Sequence, residues 1–137
     1  MSALMRWPAT VSVALTEGIR VSAASRYLPE HSSPRERRYT WAYTIRIANE
    51  SNQAARLISR HWIITDANER VEEVKGQGVV GEQPRIEPGE FFEYTSACVL
   101  ETPRGVMRGR YHMVRDDGTP FEVEIAPFAL EIPINLN

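Results

Sequence analysis

A glycine-rich segment carries the spacing in this sequence that is most typical of a ligand-binding motif. Gly76, Gly78 and Gly81 follow the pattern G-x-G-x-x-G, which in dinucleotide-binding proteins brings the backbone close to a pyrophosphate at the N-terminus of a helix. Residues 82–84 are Glu-Gln-Pro, so we expect no helix to begin here. Two interpretations stay open: backbone N–H groups that bind a phosphate or nucleotide without a helix, and glycines that only shape a loop between strands.

The residues that could perform catalysis or bind a metal are few and scattered. His31, His61 and His112 are the only histidines, and none is spaced as a ligand pair. Cys98 is the single cysteine, and no His, Asp or Asn beside it in the sequence could activate it as a nucleophile. His61 next to Trp62 leaves open one half of an acid–base pair. We predict no catalytic set, no metal site and no cofactor.

Charge and cysteine content exclude several classes of protein. The 137 residues include 16 cationic and 18 acidic side chains, and the pI is about 5.9. No strong positive field is available to attract nucleic acid, and no apolar run approaches the roughly 18 residues that span a membrane. One cysteine allows no disulfide within the chain and favours a reducing compartment. We predict one cytoplasmic domain that binds neither nucleic acid nor membrane.

β-branched residues and turn signals indicate strands rather than helices. The chain contains 11 Val, 10 Ile and 8 Thr, whose side chains pack well on a pleated sheet. The clearest strand begins at Tyr39 and alternates large apolar residues on one face through Ile47. Asp-Asp-Gly at residues 116–118 predicts a hairpin turn, and Pro127 is expected to end the strand that follows. Seven to nine short strands with turn signals about every 8 to 12 residues predict an all-β fold, a single antiparallel β-sandwich.

The same alternation predicts which aromatic side chains are buried. Trp41, Tyr43 and Trp62 are expected in the core. Tyr27 and the proline-containing loop that follows it are expected on the surface, where aromatic and arginine side chains suit contacts with another protein.

A long central stretch carries a family resemblance. The relevant runs are HWIITDAN at residues 61–68, VEEVKGQGVVGEQP at 71–84, PGE at 88–90 and FEYTS at 92–96. Thr-Pro at 102–103 and Met-Arg-Gly at 107–109 follow downstream. This sequence resembles the bacterial ApaG family, also called CorD, over roughly residues 10–132.

The resemblance implies a fold and a physiology rather than a reaction. The ApaG family has a fibronectin type III-like β-sandwich, a relative of immunoglobulin-like folds. A related domain is fused to an F-box protein in eukaryotes, and the family is linked genetically to cobalt resistance and magnesium efflux. Its glycine motif, here Gly76, Gly78 and Gly81, has prompted the suggestion of pyrophosphate or nucleotide binding. This chain departs from the usual pattern at Glu69 and at Ala97, where glycine is common, so the type of turn around Glu69 is open.

Residues and resemblance together lead to one main hypothesis and one alternative. We expect a non-catalytic protein-interaction module with a protein partner of unknown identity. The domain covers residues 10–132, between a flexible leader at 1–9 and a tail at 133–137. The alternative is a binder of small anions or nucleotides through the loop from Gly76 to Gly81.

Overall fold

The computed structural model describes residues 7–134. This part of the chain contains nine β-strands and two short 3-10 helices. The strands are β1 (Val11–Thr16), β2 (Ile19–Tyr27), β3 (Tyr39–Asn49), β4 (Ala55–Asp66), β5 (Val71–Gln77), β6 (Arg85–Ile86), β7 (Phe91–Leu100), β8 (Gly105–Arg115) and β9 (Pro120–Leu130). The helices, Pro29–His31 and Pro34–Glu36, lie in the connection between β2 and β3.

The strands form two antiparallel sheets that face each other. One sheet has the strand order β1-β2-β3-β7, and the other has the order β5-β4-β8-β9, with β6 paired to the beginning of β4. The chain crosses between the sheets after β3, before β7 and after β7, as expected for a sandwich of the fibronectin type III and immunoglobulin-like kind. The predicted all-β class, the antiparallel sandwich and the strand number are confirmed.

Alternate side chains of the two sheets meet in one core. Trp41 and Ile45 of β3 are fully buried, and Trp62 of β4 is 2% exposed. The rings of Tyr43 and Trp62, from opposite sheets, pack edge to face with their centroids 5.3 Å apart, which adds favourable ring electrostatics to the burial of apolar area. The predicted core positions of Trp41, Tyr43 and Trp62 are confirmed.

Tyr27 is buried, contrary to the prediction that it lies on the surface. The pairing of β2 with β3 extends to Tyr27, which lies opposite Trp41. The two rings pack edge to face at 5.5 Å, and Tyr27 is only 7% exposed. The prediction was wrong because the polar residues after Tyr27 indicated a loop, whereas the length of β2 is set by its pairing with β3.

Pro127 does not end β9, which is a second correction. The pairing of β8 with β9 shifts register between Met107 and Gly109, opposite Phe128 and Ile125. Pro127 lies in the resulting bulge, where no ladder hydrogen bond from its nitrogen is needed. The strand therefore continues, and the buried Phe128 belongs to β9 rather than to a separate segment.

The turn between β4 and β5 keeps a left-handed residue despite the absence of glycine. Glu69 has φ of 65°, and the Asp66 carboxylate accepts hydrogen bonds from the N–H groups of Asn68 and Arg70 at 2.8 and 2.9 Å. A residue with a Cβ is strained at this positive φ, whereas glycine is not. We expect Glu69→Gly to raise the free energy of unfolding by about 0.5–1 kcal/mol in urea denaturation. Glu69→Ala is the control and should give no gain; a less stable glycine variant would contradict the argument.

The chain just before β1 lies against the domain. The carbonyl of Ala9 accepts a hydrogen bond from the N–H of Ala129 at 2.8 Å. The guanidinium of Arg104 lies 3.8 Å from the centroid of the Trp7 ring. Residues 1–6 of the predicted leader and 135–137 of the predicted tail lie outside the described residues, so the flexibility of the leader stays a prediction.

The two open sides of the sandwich differ. On one side, the hydroxyls of Ser12 and Ser25 donate to the carbonyls of Ala126 and Ala129 at 2.8 and 2.6 Å, which ties β1 and β2 to β9. On the other side, β7 and β5 are the edge strands of their sheets. The sheets are apart there, and a cleft lies between them.

Candidate functional site

The cleft between the two edge strands has walls from both sheets. It encloses about 540 Å³, within the roughly 300–1,000 Å³ of small-ligand and side-chain pockets. We call it the β5–β7 cleft. Its wall includes Tyr43, Arg60, Trp62, Glu72, Tyr94 and Cys98.

The inner wall of the cleft is aromatic and carries neutral hydrogen-bonding groups. Tyr94 lines the cleft, and its hydroxyl lies 2.5 Å from that of Tyr111, which is fully buried. Burial raises the pKa of both phenols. Burial likewise raises the pKa of Tyr43. The phenols therefore stay protonated near neutral pH and can donate hydrogen bonds, but they are poor general bases.

Trp62, which lines the cleft, has a buried indole N–H without a hydrogen-bond partner within residues 7–134. A buried donor without a partner costs about 1–3 kcal/mol. The Trp62 ring is held in place despite this cost by edge-to-face packing against Tyr43 and Phe128.

Arg60 supplies the positive charge of the cleft. Its Nη1 donates to the carbonyls of Gln77 and Gly78 at 3.0 and 2.8 Å. The guanidinium lies flat on Gly76, where an added Cβ would be 2.8 Å from Nη1. Among residues 7–134, no carboxylate oxygen lies within 4.0 Å of it. The charge is thus half-buried and not neutralised by an ion pair.

The glycine motif forms a tight turn at one end of the cleft. Val79 and Glu82 exchange two backbone hydrogen bonds of 2.8 and 2.9 Å, and the two residues between them, Val80 and Gly81, have φ of 44° and 81°. These are the features of a two-residue type I′ hairpin turn. The N–H of Gly78 donates to the carbonyl of Ile58 at 2.8 Å, so three of the loop's N–H groups are used within the protein.

The three glycines of the motif have three different positions. Gly76 lies in β5 under Arg60, Gly78 begins the turn, and Gly81 lies at its tip. Within residues 7–134, the N–H groups of Val80 and Gly81 have no hydrogen-bond partner. Those two donors are what the loop can offer to an anion, and phosphate or nucleotide binding there stays a prediction.

Gly78 and Gly81 form a matched pair for mutation, because both have positive φ. A Cβ on Gly78 would lie 2.3 Å from the carbonyl oxygen of Glu82, whereas a Cβ on Gly81 would meet nothing within 4 Å. We expect Gly81→Ala to cost about 1 kcal/mol of stability from φ alone, and Gly78→Ala to cost about 2 kcal/mol more because of the clash. Urea denaturation measures both, and equal losses would show that the turn relieves the clash by moving.

Cys98 is a buried and protonated thiol. It is 8% exposed, and burial, followed by the nearby charge of Glu72, raises its pKa to about 12. The thiolate is the reactive form. We expect Cys98 in the folded chain to react with iodoacetamide at pH 8 about a thousandfold more slowly than a free thiol does, and at the free-thiol rate once the chain is denatured. Rapid alkylation of the folded protein would contradict this.

The histidines that sequence reasoning singled out lie elsewhere. His61 and His112 are on the outer face of the second sheet, where His61 Nε2 is 2.6 Å from a carboxylate oxygen of Glu73 and His112 Nδ1 is 3.1 Å from one of Glu122. The hydrogen bond from His61 lowers the pKa of Glu73. Cys98 lies on the opposite sheet, so the structure joins neither histidine to the thiol.

The described residues contain neither a grouped set of metal ligands nor a helix that could span a membrane. No three His, Cys, Asp or Glu side chains within residues 7–134 are grouped so that they could hold a metal ion. In the same part of the chain, no helix has the length and apolar character needed to cross a membrane.

Comparison with known proteins decides the family. A model of the ApaG domain matches residues 29–115. The chain belongs to the ApaG family. It is 56% identical over 127 residues to Protein ApaG of Anaeromyxobacter dehalogenans strain 2CP-C, which covers 93% of this chain and 100% of the relative. It is also 56% identical over 119 residues to Protein ApaG of Bordetella pertussis, covering 87% and 91%.

Solved structures agree with the ApaG assignment. The crystal structure of the putative ApaA protein from Bordetella pertussis superposes with a TM-score of 0.82 at 52% identity and covers 93% of this chain and 99% of that one. The C-terminal domain of Wzt superposes with a TM-score of 0.54 at 8% identity, covering 95% and 82%. At that identity only the fold is shared.

Sequence reasoning missed the cleft of this ApaG domain and its arginine. Arg60 lies two residues before Trp62 and four before Ile64, on the same inward face of β4. A charged residue on the buried face of a strand is unusual, and that signal in the alternation could have identified it. The cleft itself depends on which edge strands are left uncovered, which no local pattern reveals.

Proposed function

We propose that this ApaG chain is a non-catalytic, cytoplasmic protein-interaction module whose protein partner binds at the β5–β7 cleft. The observation that carries the proposal is an uncovered edge strand, β7, beside a cleft flanked by exposed apolar side chains. Edge strands and exposed apolar patches are the features by which folded proteins most readily bind other chains.

Three exposed valines flank the cleft. Val71 and Val80 lie on the side of β5 and its turn, and Val99 lies on β7; they are 61%, 53% and 55% exposed. Val80 and Val99 line the cleft together with Arg60 and Glu72, and Val71 precedes Glu72 in β5. Apolar side chains around a small number of polar groups are the usual lining of a binding pocket.

The family's link to cobalt resistance and magnesium efflux belongs to the same proposal. We propose that the partner acts on cation homeostasis and that this chain influences it by binding the partner. Its effect on cations is then indirect and requires the cleft.

A second candidate function rests on the two unused N–H groups of Val80 and Gly81. Phosphate or pyrophosphate could bind there as it does in other backbone anion sites. Calorimetric titration with inorganic pyrophosphate and with ATP tests it. Saturable heat that is lost in Gly78→Val would support the anion site, and no heat for either compound would rule it out.

Site-specific photo-crosslinking in cells tests the main proposal. A benzoylphenylalanine is placed at Val80 or Val99, on the two sides of the cleft, and at Val13 as the control. Val13 is 56% exposed and lies on β1, the opposite edge of the sheet that contains Val99. The control is therefore matched in exposure and in type of strand.

We expect Val80 and Val99 to yield an adduct with the same protein, and Val13 to yield none. Excess purified chain should compete with both adducts. If neither cleft position forms an adduct, or if Val13 captures the same protein equally well, the cleft is not the binding site.

A further inference from the structure

We infer that the partner binds as an extended strand that adds to the free edge of β7 and places an acidic side chain against Arg60. This inference rests on the proposed function and specifies the form and chemistry of the partner segment. Addition of a strand to a sheet edge is a recurrent mode of peptide recognition, in which the main chain provides affinity and alternate side chains provide specificity.

Alternate residues of β7 have main-chain N–H and C=O groups that are not bonded to β3. The N–H of Asn49 donates to the carbonyl of Glu90 at 2.9 Å, in line with the register that pairs Ile47 with Phe92 and Ile45 with Tyr94. Bonded pairs alternate in an antiparallel ladder, so the even-numbered residues of β7 bond to β3. The N–H and C=O groups of the odd-numbered residues, from position 91 to 99, point away from β3.

The side chains on those odd-numbered residues leave the edge accessible. Thr95 and Ala97 are small, exposed and uncharged. Glu93, the single charge on this strand, is held by Arg46 at 2.9 Å. β5, the other edge of the cleft, carries Glu72, Glu73 and Lys75 within seven residues, and such charges discourage strand addition.

A strand added to β7 would direct alternate side chains into the cleft. The inward residues of β7 include Tyr94, Ser96 and Cys98, which all line the cleft. Side chains on a neighbouring strand follow the same alternation, so every second residue of the added segment would point into the cleft, toward the sheet that contains Arg60. A guanidinium that is half-buried and unpaired is best complemented by a carboxylate, which it binds through charge-assisted hydrogen bonds.

A second copy of this chain would not meet that requirement. If two β7 strands paired antiparallel about Thr95, the copy would place Phe92, Tyr94, Ser96 and Cys98 toward the cleft. None of these is acidic. The charge of the cleft therefore favours a different protein over self-association.

The test uses the full chain and a defined peptide. The probe is an acetylated and amidated octapeptide in which Thr alternates with Val and one Val is replaced by Asp. Its controls carry Asn in place of Asp, or N-methyl groups on the alternate amides that would face β7. Amide exchange of the 15N-labelled protein, followed by NMR, reports both affinity and the residues that are protected.

We expect the Asp peptide to slow exchange at Glu93, Thr95 and Ala97 at least tenfold, and the Asn peptide to bind about tenfold more weakly. The N-methylated peptide should not bind. Arg60→Gln should remove the difference between the Asp and Asn peptides. Glu72→Gln removes the opposing carboxylate of the cleft and should strengthen binding of the Asp peptide.

Failure of this inference is distinguishable from failure of the proposed function. Crosslinks at Val80 and Val99 with no peptide protection at β7 would keep the interaction module and reject strand addition. Equal binding of the Asp and Asn peptides would reject the role of Arg60. Protection at β7 that rises with protein concentration alone, together with dimers in sedimentation, would show that the occupant is a second copy.

Discussion

The Thr95→Pro variant is expected to fold and to lose partner binding by at least tenfold. The N–H of Thr95 points away from β3, and its side chain is exposed, so proline removes no hydrogen bond of the sheet itself. The variant does lose the contact between the hydroxyls of Thr95 and Thr44, which lie 2.8 Å apart. We expect a stability loss of roughly 1–2 kcal/mol, small enough for the domain to stay folded. The lost N–H and the proline ring block addition of a strand to β7.

Two control variants make this result specific. Val13→Pro places proline at an equivalent position of β1, because the bond from the N–H of Ser25 to the carbonyl of Thr10 leaves the odd-numbered β1 residues free. It should bind the partner as the unmodified chain does. Ser96→Pro removes an N–H that bonds to β3 and should cost about 3 kcal/mol or more. Circular dichroism and the crosslinking yield at Val99 report folding and binding, and full binding by Thr95→Pro would contradict the role of the edge.

Gly109→Ala is expected to destabilise the fold by about 3 kcal/mol. Gly109 lies in β8 opposite Trp62, and an added Cβ would be 2.2 Å from the carbonyl oxygen of His61 and 3.2 Å from the Cα of Trp62. Both are backbone atoms of the adjacent strand, so no side-chain rotation can relieve the contact. β4 and β8 must separate, and Trp62, which forms part of the cleft, must move with them.

Urea denaturation separates this steric effect from the general effect of replacing glycine. Gly118→Ala is the comparison, since Gly118 has φ of 90° and an added Cβ there would meet nothing within 4 Å. It should cost about 1 kcal/mol. If both variants lose the same amount, the close approach of β8 to β4 is not limiting. We also expect partner binding to weaken in Gly109→Ala and to be unchanged in Gly118→Ala.

Local sequence patterns were sufficient for the strands and much of the core. The alternation from Tyr39 to Ile47 predicted β3, because the period of two is a property of the strand itself. The Asp-Asp-Gly turn was also predicted from local sequence, because glycine readily adopts the positive φ that Gly118 has in this turn before β9. The resemblance to the ApaG family gave the fold family, which the comparisons then confirmed.

Features set by contacts between distant strands were not predictable. Pro127 lies in a bulge whose position depends on how β8 pairs with β9, and Tyr27 is buried because β2 pairs with β3 over its whole length. The cleft depends on β5 and β7 being at the edges of opposite sheets. The spacing of the glycine motif is easily recognised, whereas Arg60, which lies against Gly76, belongs to no motif; its only signal is a charged residue at an inward position of β4.

Hydrogen exchange on a purified complex would show whether the partner covers the β5–β7 cleft. The full chain would be mixed with the protein captured at both Val80 and Val99, and amide exchange would be compared with that of the chain alone. We expect slower exchange in β7 and in the segment of residues 71–82, with β1 unchanged. Slower exchange in β1 with none in β7, or no change anywhere in the mixture, would contradict an interaction module that acts through the β5–β7 cleft.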